Sequence, residues 1–336
     1  MNKLSLILLF CSCASLMGTD KDKPIAKSMS ALKALAEKGD AKAQLTLGGL
    51  YYKGQGVGQD FKEALKWYQK SANQGYAKAQ FNVGVMYFTG EVVGQDFKEA
   101  LKWFGKAARQ GHSDAQNNLG SMYAKGQGVR QDFKEALKWI KKSADQGHIE
   151  ALHSLGMHYA NGDGVGQDYK EAMKWWGEAA RQGHSDAQSN FGSLYANGQG
   201  VEQDFKEAMK WWRKAADQGN AGAQYHLGVV HAKGQGVEKD FKQAMKWSHD
   251  AAVQGHAEAQ YLVGAIYETW GDRTADVRDY VTAYAWYDLA SKNGNHNAKI
   301  RTVLLAGKVT LDQINKAKSV VNGMIKKNPK LIQKND

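Results

Sequence analysis

The stretch Ala43-Gln44-x-x-Leu47-Gly48-x-x-Tyr51-x-x-Gly54-x-Gly56-Val57-x-x-Asp60-x-x-x-Ala64-x-x-Trp67-x-x-x-Ser71-Ala72-x-x-Gly75 decides the fold, because it keeps coming back. Its first glycine recurs at Gly84, Gly120, Gly156, Gly192, Gly228 and Gly264, each 36 residues after the last. An aromatic follows three residues later at Tyr51, Tyr87, Tyr123, Tyr159, Tyr195 and Tyr267, with His231 as the exception. A tryptophan column runs Trp67, Trp103, Trp139, Trp175, Trp211 and Trp247. It resumes at Trp286, three residues late, after an insertion around Trp270 to Arg278. Self-similarity at a fixed period of this length is the signature of a stacked repeat architecture.

Each unit reads as two helices. Ala43, Leu47, Leu50 and Tyr51 mark one face at helical spacing, and Gly48 lets a neighbour approach closely. Gly54 ends this helix, called A, in a left-handed cap, and Gly56-Val57 turns the chain. Asp60 then opens helix B with Glu63 three residues on, an expected capping box. The pair recurs as Asp96/Glu99, Asp132/Glu135, Asp168/Glu171, Asp204/Glu207 and Asp240/Gln243. Ala64, Trp67, Ser71 and Ala72 supply the inner face of helix B. With 37 glycines and only two prolines among 336 residues, the composition suits a chain of short helices that turns at intervals.

The repeated string resembles the Sel-one-like repeat, a relative of the tetratricopeptide repeat, over residues 41 to 294. The resemblance implies an all-α fold, a right-handed α-solenoid of helix–turn–helix units, with helix A lining the concave face. It also implies a scaffold or adaptor that binds a protein or peptide there, and some members act as secreted host-interaction (virulence) factors. Departures are local: Val92 replaces the second turn glycine, Leu152 replaces the glutamine, and the seventh copy carries the insertion. Some bacterial members pin each helix pair with a disulfide. Here Cys11 and Cys13 are the only cysteines, so packing alone must hold the units.

The flanks complete the layout. Residues 1–18 read as a secretory signal peptide: Met1-Asn2-Lys3 is positive, Leu4 to Phe10 apolar, and Ser12 and Ala14 small, with cleavage after Ala14. This points to a periplasmic or secreted protein. Lipidation of Cys13 is the alternative, against which Phe10 and Ser12 make a poor lipobox. Residues 24–39 read as an isolated helix B, since Ala36 aligns with Ala72. Residues 295–327 read as capping helices, the last opened by Thr310 and Gln313 and carrying Ile314, Ala317, Val321, Met324 and Ile325. Residues 328–336 read as a basic tail. A terminal unit needs a polar outer face, and the lysines from Lys326 to Lys334 suit that role.

Positions constant between copies build the frame, so a binding surface belongs where copies differ. Two residues after each Ala43-type position falls the series Leu45, Phe81, Asn117, His153, Ser189, Tyr225 and Tyr261. Four further on lie Gly49, Val85, Ser121, Met157, Ser193, Val229 and Ala265, on the same helical stripe. Tyr52 and Phe88 extend an aromatic end near the N-terminus. Aromatic anchors among polar neighbours suit a protein or peptide partner. The competing reading is that such residues merely pack between adjacent A helices.

Other chemistry is weaker. The net charge is +11, and Lys62, Lys66 and Lys70 recur at helical spacing on helix B. Interleaved Glu63-type residues and the lack of an aromatic platform make this a solvated face rather than a nucleic-acid surface. His112, His148, His184 and His256 follow the inter-repeat glycine as a structural element. His153/His158 and His226/His231 are five apart, off the spacing that shares a metal. No catalytic or nucleotide-binding motif appears, so no enzyme activity, cofactor, metal or transmembrane span is expected. Ser121, His153 and Asp186 lie on successive repeats, which leaves an envelope hydrolase or penicillin-interacting protein as the alternative function.

Overall fold

The computed structural model describes residues 23–332; the expected signal peptide, Cys13 and residues 333–336 lie outside them. The chain divides into two compact units, one ending at Gln131 and one beginning at Asp132. The first holds α1 (Lys23–Glu37), α2 (Ala41–Lys53), α3 (Phe61–Asn73), α4 (Ala77–Thr89), α5 (Phe97–Arg109) and α6 (Ser113–Lys125). The second holds α7 (Phe133–Ala144), α8 (Ile149–Asn161), α9 (Tyr169–Arg181), α10 (Ser185–Asn197), α11 (Phe205–Asp217) and α12 (Ala221–Lys233). It continues with α13 (Phe241–Ala252), α14 (Ala257–Thr274), α15 (Val277–Lys292), α16 (His296–Leu305), α17 (Leu311–Lys327) and a 3-10 turn, Pro329–Leu331. No strand occurs among the described residues. Within each unit a helix A packs on the helix B that follows it, and that helix B packs on the next helix A.

The A helices stop at glycines with positive φ, from Gly54 (67°) to Gly234 (72°), as expected for left-handed caps. The B helices start at aspartates whose carboxylates accept from the second and third backbone amides, as Asp60 does from Lys62 and Glu63 at 2.9 and 3.0 Å. The expected reciprocal half of the capping box is not what forms. The Asp60 amide donates instead to the carbonyl of Tyr51 (3.0 Å), as Asp204 does to Tyr195 (2.9 Å). The N-cap amide therefore ties helix B back to helix A, and the glutamate is free for other partners. Glu63 pairs with Lys66 (3.0 Å), and Glu135, Glu171 and Glu207 accept from the indoles of Trp139, Trp175 and Trp211 at 2.7 to 3.0 Å. The full reciprocal box occurs at α17, between Thr310 and Gln313.

The glycine column does let a neighbour approach, but the neighbour is not the tryptophan column. A Cβ on Gly48 would lie 2.6 Å from the Tyr68 ring, on Gly84 2.6 Å from Phe104, and on Gly156 2.3 Å from Trp176. These partners stand one residue after the tryptophan column. The column itself is roofed by lysine. Nζ of Lys70, Lys106 and Lys214 lies 4.0 to 4.1 Å from the ring centres of Trp67, Trp103 and Trp211. So aromatics do accompany the lysines, contrary to the sequence expectation, because Trp and Lys three apart share a helix face. The ammonium covers the ring, which is a packing arrangement and not an open stacking platform.

A buried glutamine stitches successive helix pairs. Gln80 donates to the carbonyl of Ala72 (3.1 Å) and accepts from Gln110 (2.7 Å). Gln188 repeats this with Ala180 and Gln218. Leu152 breaks the series, and Gln182 turns to Glu178 instead. Gln44 donates in the same way to the carbonyl of Ala36 (2.9 Å), which places α1 as a helix B.

Two features depart from expectation at the C-terminus. The basic tail is in part structural: Leu331 is buried, and its carbonyl accepts from Gln260 (2.9 Å) and Asn293 (2.7 Å). The outer face is also mixed, with exposed apolar residues beside exposed lysines such as Lys326 and Lys327. α17 packs on α15, leaving Ile300, Val303 and Leu304 of α16 exposed by 50, 71 and 59%, with Leu311 of α17 at 73%. Val303 stands where a helix A carries its glycine, so a further helix B cannot approach as in a full repeat.

The repeat of α12 and α13 is the least satisfied. Both ring nitrogens of His231, the Trp247 indole nitrogen and the Ser248 hydroxyl are buried without a hydrogen-bond partner. In the three preceding repeats a glutamate accepts from the indole at this place, where the α13 repeat has Gln243. Gln243→Glu is therefore expected to raise stability by about 1 kcal/mol, read as a higher denaturant midpoint; an unmoved midpoint would remove this explanation of the orphaned indole.

Candidate functional site on the A helices

In the first unit the stripe is aromatic and well supported. Tyr52 packs edge-on to Phe61, and its hydroxyl donates to Glu91 (2.9 Å). Burial, helped by Glu91, pushes the Tyr52 hydroxyl up to about 12. Phe81 stacks on His112 at 4.8 Å and leans on Phe104, while Phe88 meets Phe97 edge-on at 5.3 Å. Leu45, Asn117 and Ser121 are half-buried. Val85 is 6% exposed and so belongs to the core between helices, where it offers little surface.

In the second unit the stripe is polar at first and aromatic later. His153 stacks on His184 at 4.5 Å, its carbonyl accepts from the Trp176 indole (3.1 Å), and Asn190 lies 3.2 Å from its Nε2. Burial and the neighbouring His184 pull the His153 ring down to about 4, so it is neutral at neutral pH. Met157 is exposed, with its sulfur 3.6 Å from Asn190. Ser189 is 7% exposed, and its carbonyl accepts from Trp212 (3.0 Å), which makes it a packing residue. Tyr225 stacks on His256 at 4.9 Å, and Tyr261 packs on Tyr287.

The competing packing reading thus holds for Val85 and Ser189, whereas the other ten positions keep accessible surface. Sequence reasoning missed the support beneath the stripe. Asn190 and the stacked histidines are one residue or one helix away from the positions chosen. The signal was present in the histidines after the inter-repeat glycine. The His153 ring is held by His184 and Asn190, and Asp186 accepts from Asn220 (2.7 Å). Among the described residues no cluster of three or more His, Cys, Asp or Glu side chains is arranged to hold a metal. No described helix is long and apolar enough to cross a membrane.

The family model described as Sel1 repeat matches seven consecutive segments: 41–76, 77–112, 113–148, 149–184, 185–220, 221–256 and 257–295. The chain belongs to the Sel1 repeat family. A Sel1 repeat protein from Oxalobacter formigenes is 33% identical, with a TM-score of 0.59 over 68% of this chain and 94% of that one. The protein c5321, a protective antigen of uropathogenic Escherichia coli with the same repeat fold, is 27% identical. Its TM-score is 0.46 over 90% of this chain and 96% of that one. None of the curated proteins matches. Sel1 repeat proteins generally mediate protein–protein interaction and are typically non-catalytic scaffolds. The 39-residue final segment, 257–295, is accommodated by helix. α14 runs on to Thr274 and is closed by Ala275 at φ 56° instead of a glycine.

Proposed function

We propose that this Sel1 repeat protein is an exported scaffold that docks a protein or peptide along the helix-A stripe, in the periplasm or outside a bacterial cell. The observation that carries the reading is the contrast between frame and stripe. Glycine, glutamine, alanine and aspartate positions do the same job in repeat after repeat. Leu45, Tyr52, Phe81, Phe88, Met157, Tyr225 and Tyr261 differ between repeats and keep accessible apolar surface. Large, well-supported aromatics with polar neighbours are the residues that anchor protein interfaces. Export is supported by the positive, apolar and small-residue order of residues 1–18.

Affinity capture with the full chain and with a Phe81→Ala/Phe88→Ala/Tyr225→Ala variant tests the docking face. The expected result is loss of partners by a variant whose helical circular dichroism is unchanged; identical partner sets would overturn it. Mass spectrometry of the mature N-terminus tests export. Ser15 or an acylated Cys13 at the end supports it, and an intact Met1 refutes it.

A further inference from the structure

Four helix-A starts share a chemistry that no frame position requires. The caps of α6, α8, α10 and α14 are His112, His148, His184 and His256. In each, Nδ1 accepts the backbone amide of the third helical residue: Ala115 at 3.4 Å, Ala151 at 3.2 Å, Ala187 at 3.1 Å and Ala259 at 3.3 Å. Asparagine does the same work at α12 and α16. A ring nitrogen that accepts is unprotonated, so these caps exist only in the neutral imidazole with its proton on Nε2. An imidazolium would turn a donor toward the amide and set a positive charge at the positive end of the helix dipole. Three of the rings also stack on stripe residues of the preceding helix A: His112 on Phe81, His184 on His153 and His256 on Tyr225.

We propose that these cap histidines make the scaffold acid-responsive: protonation releases the starts of the four A helices and unstacks the stripe residues they support. It uses the docking reading only for its consequence, namely that a partner held on the stripe would be loosened in mild acid.

The charged groups facing these rings pull both ways. Asp114 lies 3.6 Å from His112 Nδ1 and Glu258 3.4 Å from His256 Nδ1, and both carboxylates favour the cation. Glu150 lies 3.1 Å from His184 Nε2 and also interacts with His148 and His153, while Asp186 faces His153. Against them stands burial, which holds His256 below the usual histidine range despite the opposing pull of Glu258 and of a backbone hydrogen bond of its own. Burial, with His184 stacked against it, holds the His153 ring down to about 4. His226, stacked on Trp212, is also pulled down to about 4 by burial. A folded state that refuses protons the unfolded chain accepts loses stability as pH falls. For His153 and His226 that loss runs from about 6.5 down to about 4.

The test compares the full wild-type chain with a His112→Asn/His148→Asn/His184→Asn/His256→Asn variant, which keeps the cap and cannot titrate. Hydrogen exchange at Ala115, Ala151, Ala187 and Ala259 is read at pH 7.5 and pH 5, corrected for intrinsic rates. Wild type is expected to open roughly fivefold more at each cap at pH 5, whereas the variant holds its protection. His153 and His226 remain in both proteins, so the difference isolates the caps. Equal pH dependence in the two proteins would overturn the proposal. Should the variant fail to fold, 15N shifts of the wild-type rings at pH 7.5 decide: protonated Nε2 supports the caps, and protonated Nδ1 excludes them. Neither readout depends on a partner, so failure here and failure of the docking reading are separate results.

Discussion

Trp212→Ala is expected to lower stability by about 3–5 kcal/mol, the range for emptying a large aromatic site in a packed core. Trp212 is 3% exposed, lies on Gly192, stacks with His226 and donates its indole to the Ser189 carbonyl. Its removal opens a void where α10 and α11 meet and leaves the His226 ring without its face. Trp211→Ala, one residue earlier and in the repeating column, is expected to cost only about 1 kcal/mol, an ordinary mutational effect. Trp211 is half-buried, meets Phe191 edge-on at 5.1 Å, and is otherwise covered by Lys214 and bonded to Glu207 on its own helix. Denaturant midpoints of the two variants check the order. Equal losses would show that the repeating column holds the helices together as firmly as its neighbour does.

Gly156→Leu is expected to cost about 3 kcal/mol or more, the upper end of the range for overpacking. Even the first added carbon would sit 2.3 Å from Trp176, on a ring held by its indole bond to His153. α8 and α9 must then part or Trp176 must leave its site. The coupling can be measured directly. Gly156→Ala and Trp176→Ala each destabilise alone, and the double variant is expected to be less destabilised than their sum, because the small ring site accepts the methyl. Strict additivity would mean that the two residues do not meet.

Much of this was legible in sequence. The period, the helix pairs, the left-handed glycine caps, the aspartate starts and the half repeat at α1 follow from residues whose roles are local. Gly54 needs only a positive φ, and Asp60 needs only the amides two and three residues ahead. The stripe was legible as a place where repeats differ, which says nothing about depth. Val85 and Ser189 share the spacing of Phe81 and Tyr225 yet are buried, since accessibility depends on how far the neighbouring helix leans over each position.

Repetition in the sequence by itself determined the architecture and the family, because a unit recurring at a constant interval has few ways to bury its apolar face except against its own copies. Tertiary structure alone decided which residue fills the glycine notch, where the Asp60-type amide goes, how the lysines roof the tryptophans, and which histidine nitrogen accepts. The reason is common to all four. Each is a contact between helices, or a choice among partners equally near in sequence, and a periodic pattern records the face a residue lies on without recording what stands opposite.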